Sequence, residues 1–169
     1  MKTPKFPKDA PFSDDQKSWL SGFLAGIQTA QTSVDEAVEI ADKDPNKLLN
    51  ILYGTQTGNA ETLASETADA ARNFGIEAKV QGLDEIDISN FANMKNVIFT
   101  IATYGEGDMP DNAELFWKDL SNSDMPKLPN MKFGVLALGD TGYDEFCQAG
   151  KLIDMRLEQL GASRIIKRQ

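Results

Sequence analysis

The stretch LLNILYGTQTGNAE, Leu48 to Glu61, changes character twice. Leu48 to Tyr53 is a buried-strand run that stops at Gly54. Thr55-Gln56-Thr57-Gly58-Asn59 is a cluster of hydroxyl, amide and glycine residues, and a helical pattern begins at Ala60. Strand, hydroxyl-rich loop and helix N-terminus together form a phosphate cradle. The N–H groups of the loop and first helical turn point outward unpaired, and the helix dipole favours an anion there. Thr55 and Thr57 add hydroxyl donors, Gln56 and Asn59 add amides, and Gly58 lets the backbone approach closely. No Lys or Arg lies between Asn50 and Arg72, and the Gly-Lys-Ser/Thr of a nucleoside-triphosphate loop is absent. The loop therefore suits one terminal phosphate held by neutral donors. On this loop alone, an ordinary strand-to-helix turn with a Thr or Asn cap is the plainer alternative.

Downstream the same alternation repeats. Helix is expected from Ala60 to Phe74 with Gly75 as its stop, then strand Glu77 to Gly82 and a loop from Leu83 to Asn96. Strand Asn96 to Ala102 is nearly all apolar. Helix Ala113 to Leu120, strand Lys132 to Leu138, helix Phe146 to Leu160 and a short strand Ser163 to Lys167 complete the pattern. Continuous apolar strands separated by helices indicate a parallel sheet buried on both faces.

Upstream, residues 1–11 read as a flexible lead-in rich in Lys and Pro. Ser13 is a candidate N-cap for a helix from Asp14, on which Trp19, Leu20, Phe23, Leu24 and Ile27 form an apolar stripe. A polar helical stretch, Val34 to Ala41, leads into a linker, Asp42 to Asn46. We divide the chain into a lead-in with a helical extension, 1–46, and an α/β domain, 47–169. The stripe must dock either on that domain or on a partner.

Composition narrows the chemistry. The chain has 169 residues, enough for one domain with a real core. It has no histidine, which removes the usual general base and metal ligand, so hydrolytic chemistry and a zinc centre are not expected. One cysteine, Cys147, cannot form an internal disulfide and fits a reducing cytoplasm. At the head of its helix it is expected to have a somewhat lowered pKa, with packing favoured over reactivity. No apolar run approaches membrane-spanning length, and the N-terminus carries no secretory pattern. A net charge of −9 argues against nucleic acid and leaves a basic protein as a partner. Acidic residues concentrate in Glu106 to Glu114 and Asp140 to Glu145.

Ligands of open α/β sheets bind at the carboxyl ends of strands. After Ala102 comes Thr103-Tyr104-Gly105-Glu106-Gly107-Asp108. After Leu138 comes Gly139-Asp140-Thr141-Gly142-Tyr143-Asp144-Glu145-Phe146-Cys147. Each places a Tyr among glycines and acids at a strand exit, where two rings from adjacent loops can sandwich a flat heteroaromatic group. Taken singly, each Tyr is equally well a half-buried loop aromatic.

These segments, Gly54 to Glu61, Ala102 to Asp108 and Leu138 to Tyr143, resemble the three FMN-binding loops of diflavin reductases, the family of cytochrome P450 reductases and NADPH-sulfite reductase flavoproteins. Ala10 to Ser13, Trp19 to Gly26 and Leu138 to Gln148 resemble the bacterial sulfite-reductase form, whereas Thr103 to Asp108 is closer to the P450-reductase form. The resemblance implies a flavodoxin-like doubly wound five-stranded parallel sheet of order 2-1-3-4-5, the order known for that fold. It implies FMN as cofactor, with Thr55, Gln56, Thr57, Gly58, Asn59 and Ala60 on the phosphate. Tyr104 and Tyr143 would lie on opposite ring faces, and Gly105, with Ala102 and Thr103, would line the ring edge. Leu138, Gly139, Asp140, Thr141, Gly142, Asp144, Glu145, Phe146 and Cys147 would surround the ring and ribityl chain.

The implied role is a one-electron shuttle, with an FAD- and NADPH-binding reductase domain or protein as donor and a redox protein such as a sulfite reductase hemoprotein as acceptor. Nothing in the chain matches the FAD and NADPH domains, so an isolated or truncated module is expected, unable to oxidise NADPH alone. The family's closing helix after the fifth strand is also unmatched, and the Trp19 to Ile27 stripe is a candidate to cover that face. A free-standing flavodoxin-type carrier and a flavin-free interaction module remain as alternatives.

Overall fold

The computed structural model describes residues 13–31 and 48–169, with residues 24–31 as backbone only. The expected lead-in over 1–11, the stretch Val34 to Asn46 and the side chains of Leu24 and Ile27 lie outside the described residues.

Helix α1 (Asp14–Gln31) precedes strand β1 (Leu48–Gly54), helix α2 (Asn59–Asn73) and strand β2 (Glu77–Gly82). A 3-10 turn (Leu83–Glu85) and a one-turn helix α3 (Ile88–Phe91) lead to β3 (Asn96–Ala102). Then come a 3-10 turn (Asp111–Ala113), α4 (Glu114–Leu120), β4 (Lys132–Leu138), α5 (Gln148–Gln159) and β5 (Ser163–Arg164). The five strands form one parallel sheet in the order β2-β1-β3-β4-β5, as expected.

Side chains alternate between the two faces of this sheet and build two cores. Leu49, Ile51, Ile98 and Leu136 meet α1 and α2 on one face. Leu52, Val97, Phe99, Phe133 and Val135 meet Phe91, Phe116, Ile153 and Leu157 on the other. Small residues let α2 lie close to the sheet: Ala60, Ala64, Ala68 and Ala71 are all fully buried.

Ser13 and Gln16 cap α1 reciprocally. Ser13 Oγ accepts from Gln16 N at 3.2 Å, and Ser13 N donates to Gln16 Oε1 at 2.8 Å. Trp19, Leu20 and Phe23 are buried in the chain's own core, so for these three residues the stripe docks on its own domain. The Trp19 and Phe23 rings stack at 5.8 Å over Gly134, where a Cβ would lie 2.9 Å from Phe23. Trp19 Nε1 donates to the carbonyl of Lys167 at 2.7 Å. This places α1 over the β4–β5 end of the sheet, each large side chain contributing roughly 1.5–3 kcal/mol by burial.

Three expectations need correction. The loop from Leu83 to Asn96 holds α3, because the Asp87 carboxylate caps it, accepting from Ser89 N at 2.8 Å. The Ser89 hydroxyl donates to the same carboxylate at 2.6 Å, and together with the N–H it holds the Asp87 carboxyl below the usual range. The last strand does not run to Lys167. Ile165 N donates to Phe133 O and Gln169 N to Val135 O, so 166–168 bulge from the edge of β4, leaving Lys167 O to Trp19. Finally, α5 starts at Gln148 rather than Phe146. Cys147 sits in the left-handed region at φ 56°, and its backbone is pressed against Gly139.

Candidate functional site

The carboxyl ends of β1, β3 and β4 are neighbours in the sheet and release three loops on one edge. Between β1 and β3 the chain changes direction across the sheet, which is where open α/β folds have their crevice.

The first loop is tied down from several sides. Thr55 Oγ1 accepts from Gly58 N at 2.9 Å, closing a turn that Gly58 completes at φ 87°. Thr100 Oγ1, buried on β3, donates to Ala60 O at 3.0 Å and anchors the first turn of α2. Among the described residues, nothing accepts from the main-chain N–H groups of Gln56, Thr57, Asn59 or Ala60. That row of free donors at the start of a 15-residue helix is what an anion requires. The Gln56 side chain is already engaged: its Nε2 donates to Asp111 Oδ2 at 2.8 Å, and its Oε1 accepts from Asp111 N at 3.1 Å.

The other two loops enclose a cavity of about 340 Å³ lined by Thr103, Tyr104, Gly105, Gly139, Asp140, Tyr143, Glu145, Phe146 and Cys147. The Tyr104 loop is a tight hairpin in which Tyr104 N donates to Asp108 O at 3.0 Å and Asp108 N to Tyr104 O at 2.8 Å. The Tyr143 loop begins with an Asx turn, Asp140 Oδ1 accepting from Gly142 N at 2.8 Å. Two bonds lock the loops together. Thr103 N donates to Leu138 O at 2.9 Å, and Thr103 Oγ1 accepts from Ala149 N at 3.2 Å, capping α5 from another loop. A Cβ on Gly139 would lie 2.9 Å from Cys147 N, so only glycine lets the two ends of this loop meet.

Tyr104 is 50% exposed, Tyr143 51% and Phe146 39%. Large rings left this open at a cavity mouth gain most when something flat covers them. Asp140 and Glu145 line the cavity, and among the described residues no Lys or Arg does. The setting is thus polar and anionic at the rim. Burial raises the Cys147 thiol, outweighing the opposing pull of Lys151 and Arg168; the lowered value expected from its place at a helix start is therefore corrected.

Nine of the expected site residues line the cavity, and the Thr55 to Ala60 loop stands one strand away on the same edge. Ala102 and Leu138 pair across β3 and β4 at its base. Thr141, Gly142 and Asp144 lie in the same loop without lining it. Sequence pattern alone does not single out Asp111 and Asn112. Their one signal is Pro110-Asp111-Asn112 at a helix start, where short polar side chains bond to backbone.

Residues 51–168 match the family described as Flavodoxin. The chain is 36% identical over 162 residues to the sulfite reductase [NADPH] flavoprotein alpha-component of Bacillus subtilis, covering 92% of this chain and 27% of that protein. It is 40% identical over 156 residues to the protein of that name from Vibrio cholerae, covering 90% and 25%. The chain thus spans about a quarter of the length of these relatives. Among solved structures, a flavodoxin of Streptococcus pneumonia TIGR4 superposes with a TM-score of 0.64 at 33% identity, covering 72% of this chain and 81% of that one. Oxidised Flavodoxin 2 from Bacillus cereus gives 0.64 at 29% identity, covering 71% and 80%. Sheet order, loop placement and these likenesses agree: the chain belongs to the flavodoxin family.

Proposed function

We propose that this domain binds FMN and passes electrons one at a time between a reduced flavin donor and a redox acceptor protein. The observation that carries this reading is the pairing of a cavity flanked by two half-exposed tyrosines with a helix N-terminus bearing free N–H groups one strand away. Those two features match the two ends of a flavin mononucleotide.

The donor set fits the cofactor. The N–H groups of Gln56, Thr57, Asn59 and Ala60, with the hydroxyls of Thr55 and Thr57, would hold the phosphate. Tyr104 and Tyr143 would cover the ring, and Gly105 would offer main-chain groups at its edge. FMN itself supplies the electron chemistry. Asp140 and Glu145 at the cavity, with Glu106, Asp108 and Asp144 in the same loops, disfavour extra negative charge on whatever lies there. No side chain is asked to act as acid, base or nucleophile.

The relatives' names, sulfite reductase [NADPH] flavoprotein alpha-component, support an NADPH-linked setting in sulfite reduction. Within it we take an FAD- and NADPH-binding reductase domain or protein as the donor and a redox protein such as a sulfite reductase hemoprotein as the acceptor. The acidic rim suits a basic acceptor surface. Among the described residues no helix is long and apolar enough to cross a membrane. Domain limits of 47–169, with 1–46 as an extension, are part of the same reading.

Acid treatment of the purified, reconstituted protein should release FMN in one-to-one ratio. Reductive titration followed by visible absorption should show a distinct one-electron stage. A colourless protein that takes up no added FMN would overturn the proposal.

A further inference from the structure

Asn112 makes contacts that the nucleotide site does not otherwise explain. It is half-buried in the 3-10 turn Asp111–Ala113, far along the chain from β1. Its side-chain Oδ1 accepts from Thr55 N at 2.8 Å, and its Nδ2 donates to Tyr53 O at 3.4 Å. Those two main-chain groups flank Gly54, the last residue of β1. In a parallel ladder, the carbonyl before a residue and the N–H after it bond to one residue of the neighbouring strand. The Asn112 amide therefore replaces a strand residue opposite Gly54, extending the ladder where the strands end.

The consequence passes along the loop. With its N–H fixed by Asn112, Thr55 is oriented so that Oγ1 accepts from Gly58 N at 2.9 Å. That bond sets the left-handed turn at Gly58, which leaves the N–H groups of Gln56, Thr57, Asn59 and Ala60 open. The neighbouring Asp111 secures the same loop through its reciprocal pair with Gln56. Asn112 and Asp111 need not touch the ligand to decide its affinity.

We infer that Asn112 is the positioning residue of the phosphate-binding loop, clamping Tyr53 and Thr55 so that the free N–H groups converge on the anion. The inference rests on the FMN reading and deepens it. Its role concerns the phosphate alone, since Asn112 is not among the residues that line the tyrosine cavity.

The test compares FMN with riboflavin, which lacks the phosphate, on the reconstituted full chain and on Asn112→Ala. The expected result is about tenfold weaker FMN binding, with riboflavin affinity within about twofold of the parent. Asn112→Ser, a smaller change at a turn start, asks the same question should the alanine variant not fold. In either variant the ³¹P resonance of bound FMN should move, because it reports the phosphate's surroundings, whereas a general loosening of the fold would lower riboflavin affinity as well. Equal losses for both flavins, or an unshifted ³¹P resonance, would overturn the inference. Failure of the parent protein to bind FMN would overturn the FMN reading first, and the two failures are distinguishable.

Discussion

The loop after β1 and the cavity between the loops after β3 and β4 lie on one edge of the sheet, yet they meet solvent in different ways. The first is closed on itself. Thr55, Gln56, Gly58 and Ala60 are each bonded to a fixed partner, and what remains open is a row of main-chain N–H groups. The second is fixed at its base by Thr103 and Gly139 and open at its mouth, where Tyr104, Tyr143 and Phe146 stand partly in water. An anion is held best by donors that need no reorganisation, so rigidity serves the first region. A flat ring is held by area, so exposed aromatic faces serve the second.

That contrast breaks if the two regions respond alike to substitution. The largest effect is expected in the open region: Tyr143→Ala or Tyr104→Ala should weaken FMN and riboflavin together, by about tenfold to a hundredfold in fluorescence titrations. Gly139→Ala comes next. Its Cβ would meet Cys147 N at 2.9 Å, so unfolding by urea should show a loss of about 1–2 kcal/mol, and ring binding should loosen with it. In the closed region, Thr57→Val should weaken FMN about fivefold while leaving riboflavin unchanged, by removing one hydroxyl donor. An equal loss for both ligands would remove Thr57 from the phosphate.

The smallest effect concerns pH. Burial raises the Cys147 thiol, so the folded chain holds that proton more tightly than the unfolded chain. The stability this adds is fully present below the unfolded thiol's ordinary value of about 8.5 and is lost as pH rises past it toward the folded value. Urea midpoints should therefore decline above that pH in the parent and less so in Cys147→Ser. Alkylation at neutral pH should be slow.

Much of this organisation can be read from the residues. Continuous apolar runs such as Asn96 to Ala102 mark strands buried on both faces, and their exits mark the loops. Short hydroxyl and amide residues before α2 mark the anion site because the relevant donors are local. Contacts made at a distance leave no such trace. The Asn112 clamp joins positions 57 residues apart, and Asn at a helix start is common for other reasons. The shift of α5 from Phe146 to Gln148 follows from the close approach of Gly139, which helical periodicity does not report. The Cys147 thiol behaves likewise: a helix start suggests a lowered value, whereas burial, a product of packing, raises it.

The most direct measurement is a fluorescence titration of FMN, with riboflavin in parallel, by the flavin-depleted protein. FMN emission should be quenched at one equivalent as the ring stacks on tyrosine, and riboflavin should bind more weakly by the contribution of the phosphate. FMN emission that stays unchanged in excess protein, or riboflavin binding as tightly as FMN, would contradict a site shared between a stacking cavity and a separate anion-binding loop.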